Sequence, residues 1–362
     1  MQKGFFSTYF PPPKYLRLPA AGLDISDRAI KYVELVVHRG ELHLGKYGEA
    51  DIPEGVIVQG VVKDQDKLVN ILKGIRQRTN LSIFHVSLPE EKAYLVEMEV
   101  PYNAGDLHGT IELHLEEHFP IETKLALFDY EIIHTPENSG KNVYVIAVSA
   151  LEGQFASDYF KALRLAGYLP LSFEFESQAI SRAVVPASGN GVIMIADIGR
   201  EQSNIAIVAN HIVRLTGSLS VGGNALSEAI KKDLKVSIEE AVRLKEKEGL
   251  LHRELDKSAF SSIIRVATVL RDEISQRLIY WNSGRPRSNS KDTVSSIILC
   301  GGNANIPGLP EYLTSGIEIP VSIANPWGNF LSFDKIIPEI TASESLKYCT
   351  AIGLALRSTQ LL

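Results

Sequence analysis

Gly191–Val208 reads GVIMIADIGREQSNIAIV, an apolar run that ends in Asp197, crosses a short polar turn and becomes apolar again. Strand-forming residues on both sides of a turn predict a β-hairpin with an acid at its turn. Toward the N-terminus, Gly22–Leu35 (GLDISDRAIKYVEL) has the same plan, with Leu23-Asp24-Ile25 standing where Ala196-Asp197-Ile198 stands later. Two copies of strand, aspartate, turn and strand predict a duplicated domain with a site between its halves.

Each hairpin extends into a three-strand meander: Ala21–Ile25, Ala29–His38 and Leu42–Asp51 in the first half, with Arg39-Gly40 at the second turn, and Ile193–Asp197, Ser203–Ala209 and Ile212–Leu219 in the second. After Asp64, Leu68, Ile71, Leu72 and Ile75 recur at helical spacing, and Ser82–Leu88 reads as a further strand. In the second half, Val221-Gly222-Gly223-Asn224 opens a helix with Leu226, Ile230 and Leu234 on one face. Ser237–Glu240 has capping-box form and its helix stops at Gly249. Asp256–Trp281 is a long amphipathic helix, Val294–Leu299 a buried strand, and Leu346–Leu356 a closing helix of small residues.

Between the halves the character changes. Leu95–Val100, Leu127–His134 and Val143–Ser149 read as strands, about Asn103–His118 as a helix closed by Phe119-Pro120, and Leu151–Ala166 as a helix capped by Gly167. The chain divides into an aromatic, proline-rich arm (1–18), a first lobe (19–88), an α+β insertion (89–165), a return to the first lobe (166–188) and a second lobe (189–362). The outer subdomain of that second lobe spans about 222–295.

The 362 residues suffice for two domains, and 45% hydrophobic with 22% charged residues is a soluble globular composition. The net charge of -6 without a basic block gives no footprint for nucleic acid. No apolar run approaches the roughly 20 residues of a membrane span, so direct membrane insertion is not expected. The N-terminus, MQKGFFSTYFPPPK, lacks the apolar core of a secretory leader. Its aromatics suggest a tail that either is loosely ordered or docks on a groove of this protein or a partner. Cys300 and Cys349 lie in apolar segments and read as reduced core residues. His114 and His118 have a zinc-compatible i, i+4 spacing but no third ligand, so an exposed helix face is expected.

The ordered set of the Asp24 loop, the Asp197 loop, Gly222-Gly223 and Ser296–Gly308 (SIILCGGNANIPG) resembles the phosphate-1, phosphate-2 and adenosine motifs of the actin-like ATPase superfamily. Pro53–Asp64, Glu117–Tyr130, Asn325-Pro326-Trp327 and Tyr348–Arg357 extend the resemblance, within that superfamily, to the PilM family of type IV pilus assembly. It implies an α/β, actin-like ATPase fold with two duplicated lobes and an FtsA-type inserted subdomain. It also implies a cytoplasmic scaffold peripheral to the inner membrane, which holds the N-terminal peptide of a PilN-like membrane protein between the first lobe and the insertion.

The cofactor implied is ATP with Mg²⁺. Asp24 and Asp197 are the candidate Mg²⁺ ligands, one on each lobe. Ser26, Lys31, Gly199, Asn204, Gly222 and Gly223 fall at phosphate positions, Lys245, Gly301 and Gly302 at adenosine positions, and Glu176 where a catalytic acid orients water or metal.

Both phosphate loops depart from the family pattern. Ser26 replaces a glycine and Asp27 adds negative charge; two like charges about 4 Å apart repel by roughly 4 kcal/mol at an effective dielectric of about 20, which Arg28 offsets in part. Glu201 replaces the second glycine of the other loop, and Val242 stands where the family has a ribose-binding glutamate. Each loop can equally be an ordinary hairpin turn with solvated acids. The site therefore reads as a degenerate ATPase site, with ATP binding weakened and turnover not expected. The alternatives are an active actin-fold ATPase or kinase, and an FtsA-like or type II secretion actin-like protein. Self-association through the lobes stays open.

Overall fold

A computed structural model describes residues 20–38, 40–102, 106–135, 142–189, 191–251, 257–283, 293–334 and 336–360. The N-terminal arm and most of the polar loops 136–142 and 284–293 lie outside the described residues.

The first meander forms as β1 (Ala21–Ile25), β2 (Ala29–His38) and β3 (Glu41–Asp51). A short ribbon, β4 (Ile57–Val58) with β5 (Val61–Val62), leads into helix α1 (Gln65–Thr79). Asp64 starts that helix as the sequence reading expected, its Oδ1 accepting the Lys67 N–H at 3.0 Å. Strand β6 (Ile83–Leu88) follows. The insertion contributes β7 (Tyr94–Pro101), α2 (Leu107–His118), β8 (Ala126–His134) and β9 (Val143–Glu152). Then come α3 (Gly153–Leu165), β10 (Leu169–Phe175) and α4 (Glu176–Val184). The second half runs β11 (Val192–Ile198), β12 (Ser203–Ala209), β13 (Ile212–Leu219), α5 (Gly223–Leu234), α6 (Ile238–Lys247), α7 (Lys257–Ser283), β14 (Val294–Cys300), α8 (Leu309–Ile317), β15 (Val321–Ile323), α9 (Ala342–Ser345) and α10 (Cys349–Gln360).

The duplication is explicit in the sheets. The first has the order β3-β2-β1-β6-β10 and the second β13-β12-β11-β14-β15. In each an antiparallel meander is followed by two parallel strands. The two acids share one register: Asp24 pairs with Lys31 across the first hairpin and Asp197 with Asn204 across the second.

Strand β10, helix α8 and strand β15 are among the assignments new relative to the sequence reading. Strand β10 carries Pro170, which lacks an N–H; its place at the sheet edge, with a register shift at Pro170, makes the proline tolerable. Element α8 is a short helix of nine residues with Leu309, Tyr312 and Leu313 at helical spacing, and β15 has three residues, too few for an alternation to show. Helix α2 begins at Leu107 after Asp106, later than the expected Asn103.

The helices sort by core. One cluster buries α5, α6 and α7 against one face of the second sheet, with Ile263, Ala267, Leu270, Ile274 and Leu278 forming the expected stripe. Another joins the first sheet to α1 and to Phe155, Tyr159 and Leu163 of α3, a helix the sequence reading assigned to the insertion. The insertion keeps a small core of its own around Ile111, Leu115, Ile146 and Val148. Between the sheets lie α4 and α10, whose Ile180, Ala183, Ile352 and Ala355 form a third cluster.

That middle layer is held by backbone approach. A Cβ on Gly22 would lie 1.9 Å from the Ala351 carbonyl oxygen, and one on Gly353 1.8 Å from that of Ala179. Glycine at these positions lets α10 rest directly on β1 and on α4.

Candidate functional site

The two hairpin turns face each other across a cleft of about 460 Å³. Asp24, Ser26 and Lys31 line it from the first lobe; Asp197, Gly199, Asn204, Lys245, Gly301 and Gly302 line it from the second, with Glu176 at the head of α4. The sequence reading thus brings together ten of its named residues. Gly222 and Gly223 do not reach the cleft. A Cβ on Gly222 would lie 2.6 Å from both the Glu201 carbonyl carbon and the Gln202 nitrogen, so this glycine makes room for the 200–202 turn and not for a ligand. The N–H of Gly223 donates to the Gly199 carbonyl (2.9 Å) and that of Asn224 to the Arg200 carbonyl (2.8 Å). Amides at the start of α5 that could have held an anion are spent on the neighbouring loop.

Asp24 is buried and accepts the Ser87 hydroxyl proton at 2.9 Å, with Lys31 Nζ 3.7 Å away. Burial by itself would lower the Lys31 pKa; Asp24, Asp197, Glu49 and Glu176 reverse this and raise it. Burial, with Asp24 adding to it against Lys31, pushes Asp197 up to about 6. Glu176 accepts the Asn204 amide N–H at 3.0 Å and is held well above its ordinary value by burial and by Asp24, Glu91 and Asp197. That favours the protonated acid, the form unable to take a proton from water.

The two intruding acids occupy defined places. Asp27 accepts the backbone N–H groups of Gln59 (2.7 Å) and Gly60 (2.9 Å), which fixes the β4–β5 turn. Glu201 accepts Arg28 Nε at 2.8 Å and Asn224 Nδ2 at 3.0 Å, so Arg28 bridges the lobes at the cleft mouth. Lys347 to Glu49, at 2.8 Å, is a second bridge between the halves. Lys245 is buried with its pKa lowered by that burial, and it donates to Asn303 Oδ1 at 2.7 Å; Asn303 in turn donates to the Gly199 carbonyl. Glu240 pairs with Arg243 and does not close the capping box, although Ser237 Oγ does accept the Glu240 N–H.

Arg28, Glu49, Arg200, Glu246 and Asn303 also line the cleft. Glu246 had a readable signal: it lies one helical turn beyond Val242 on the same face of α6.

Asp24 and Asp197 stand on opposite walls of the cleft, with Lys31 Nζ 3.7 Å from Asp24. Among the described residues no group of three or more His, Cys, Asp or Glu side chains is placed to hold a metal. Around the phosphate positions the amides of Gly223 and Asn224 are used internally, Glu201 stands at the mouth, and eight acidic side chains face five basic ones in the lining. His114 pairs with Glu117 on an exposed face and, among the described residues, belongs to no group of three metal-ligating side chains; Cys300 and Cys349 are buried free thiols.

Just behind the cleft, Glu90 accepts the Ser177 N–H (3.1 Å) and hydroxyl (3.0 Å), tying the end of β6 to the start of α4. Burial, opposed by these bonds, pushes Glu90 up to about 7 from 4.5. The folded state therefore binds this proton more tightly than the unfolded chain. The stabilisation is full below about pH 4.5 and is lost as pH rises through about 7. In Glu90→Gln the urea midpoint should fall less between about pH 5 and about pH 8 than in the parent chain; equal declines would show that Glu90 does not carry this dependence.

A second concavity, a groove of about 310 Å³, lies where the insertion meets the first lobe. Two sheet edges contribute to it: β8, the edge of the insertion sheet β7-β9-β8, and β10. Leu127, Phe128, Tyr130, Phe173 and Phe175 supply apolar surface, and Val213 of β13 brings in the second lobe. At its floor, buried Glu174 accepts from Arg182 (2.6 and 2.7 Å) and Arg357 (2.7 Å). Alongside, Arg214 of β13 clamps Glu97 of β7 with two bonds of 2.6 Å, fastening the insertion to the second lobe.

Comparison with known proteins agrees with this architecture. The chain is similar, at 20% identity and a TM-score of 0.78, to a chain of the "PilM-PilN type IV pilus biogenesis complex", covering 94% of this chain and 99% of that one. It is also similar to MreB5 of Spiroplasma citri bound to ADP (13% identity, TM-score 0.57, 94% and 96% covered). Ethanolamine utilization protein EutJ from Carboxydothermus hydrogenoformans gives 15% identity and a TM-score of 0.52, with 95% and 93% covered. These likenesses show an actin-like ATPase fold. A family model described as type IV pilus assembly protein PilM matches residues 22–359, and the chain belongs to that family.

Proposed function

We propose that this protein is a scaffold of the type IV pilus machinery that holds the N-terminal cytoplasmic peptide of a PilN-like inner-membrane protein in the groove between the insertion and the first lobe. The observation that carries this reading is the groove itself. It presents two sheet edges, to which an extended peptide can add main-chain hydrogen bonds, and aromatic walls that can take alternate side chains. The solved complex in the comparison pairs PilM with PilN. Among the described residues no helix is long and apolar enough to cross a membrane, so membrane attachment through such a partner is consistent with the chain.

Leu127→Glu tests the groove. Leu127 is 53% exposed, so the substitution leaves the core intact while placing a charge against the peptide. Affinity for the partner peptide, read by fluorescence anisotropy, should fall about tenfold or more. Unchanged affinity in a folded variant would move the binding site elsewhere.

Nucleotide has a secondary place in this reading. MreB5 was solved with ADP, but here Glu201 and the spent amides weaken the equivalent cradle, so ATP acts at most as a weak modulator and the cleft does not turn it over. Glu201→Gly should give a larger rise in melting temperature with Mg-ATP than the parent chain does. An equal or smaller rise would remove Glu201 from the explanation.

A further inference from the structure

The aromatic arm has no part in the scaffold described so far. Residues 1–19 carry Phe5, Phe6, Tyr9, Phe10 and Tyr15, the triplet Pro11-Pro12-Pro13, three cations (Lys3, Lys14, Arg17) and no acid. They precede the family-matched span 22–359.

The arm joins the described structure beside the groove. The N–H of Ala20 donates to Ser358 Oγ at 3.2 Å, and Ser358 follows Arg357, whose guanidinium binds Glu174 at the groove floor. Ser358 Oγ is also 3.1 Å from His85 Nε2, and His85 Nδ1 is 2.7 Å from Ser172 Oγ on β10. Ser358, to which the entry point Ala20 is bonded, is therefore one residue from the floor on one side and two hydrogen bonds from the edge strand on the other. At roughly 3.3 Å per residue the 19 residues reach up to about 60 Å, far more than the groove requires.

The chemistry of arm and groove is complementary. The walls carry Leu127, Phe128, Tyr130 and Phe173, a surface of the kind aromatics pack on, and the exposed acids Asp129 and Glu131, opposite in charge to Lys3, Lys14 and Arg17. Proline-rich sequences favour an extended backbone, which in general lowers the entropy lost on docking. Tethering raises the local concentration of the arm to the millimolar range, an advantage that a second copy or a free peptide lacks.

We propose that residues 1–19 lie back into the groove between β8 and β10 and compete there with the incoming partner peptide. The competitive part rests on the groove being the partner's site; the docking of the arm does not.

The test is hydrogen–deuterium exchange on the full chain, comparing the parent with Phe5→Ser/Phe6→Ser/Tyr9→Ser/Phe10→Ser. Amides over 126–134 and 169–175 should exchange about tenfold faster in the variant, and a synthetic N-terminal peptide of the PilN-like protein encoded in the same genome should bind it about tenfold more tightly. Leu127→Glu, which keeps the arm, should also speed exchange over 169–175. Unchanged exchange over both strands in both variants overturns the proposal. Faster exchange with no partner binding to either form supports arm docking and removes the partner from the groove. Equal partner affinity with unchanged exchange keeps the partner there and removes the arm.

Discussion

Gly353→Ala is expected to lower the apparent melting midpoint by about 5 °C or more, because the new methyl group has no space to enter. Its Cβ would lie 1.8 Å from the Ala179 carbonyl oxygen and 2.4 Å from the carbon, both backbone atoms of α4. A flexible side chain could swing aside; a helix backbone can yield only by translating. That translation would disturb Arg182, which donates to the Gly353 carbonyl at 2.8 Å, and the layer of Ile180, Ala183 and Ile352 between the lobes. Overpacking of a well-filled core typically costs about 1–3 kcal/mol, and contact with backbone puts this site at or above the upper end. Gly74→Ala is the matched control. Gly74 sits inside α1 with nothing within 4 Å of its added Cβ, so alanine there should stabilise by about 0.5–1 kcal/mol. Differential scanning fluorimetry on the two variants should give shifts of opposite sign; a neutral Gly353→Ala would mean that α10 and α4 are farther apart than described.

The second large effect is Glu174→Gln. The side chain of Glu174 is 3% exposed and accepts two bonds from Arg182 and one from Arg357. Glutamine preserves the shape, but its NH₂ meets a guanidinium donor and the carboxylate charge is gone. Removing one partner of a buried ion pair costs about 3–5 kcal/mol, since the remaining charge stays desolvated. Arg357 is partly solvated, which places the expected loss in the lower half of that range. Glu240→Gln breaks an exposed Arg243 pair of similar length and should change chemical denaturation little. If both variants lose stability equally, the Glu174 cluster is not the buried junction of first lobe, α4 and α10.

How far the fold could be read from sequence depended on the range of the interactions involved. The matched hairpins were legible because alternation and turn chemistry are local, and because Asp24 and Asp197 mark the same register twice. Strand β10 was not, since Pro170 breaks the strand pattern and only its edge position explains it. The direction of Asp27 could not be read either: its partners, the N–H groups of Gln59 and Gly60, are 32 and 33 residues away. Glycine misled for a similar reason. Close approach to a phosphate and close approach to a neighbouring loop demand the same residue, and at Gly222 the loop is what comes close. The groove between β8 and β10 had no signal in spacing, because it forms where two sheet edges distant in sequence converge.

The most direct test of the scaffold reading is an isothermal titration of the full chain with the N-terminal cytoplasmic peptide of the PilN-like protein encoded in the same genome. Saturable one-to-one binding that Leu127→Glu weakens about tenfold or more and Mg-ATP leaves within about a factor of a few is the result predicted. Heat changes no larger than dilution, for the parent chain and for the variant with the arm's four aromatics replaced by serine, would contradict it.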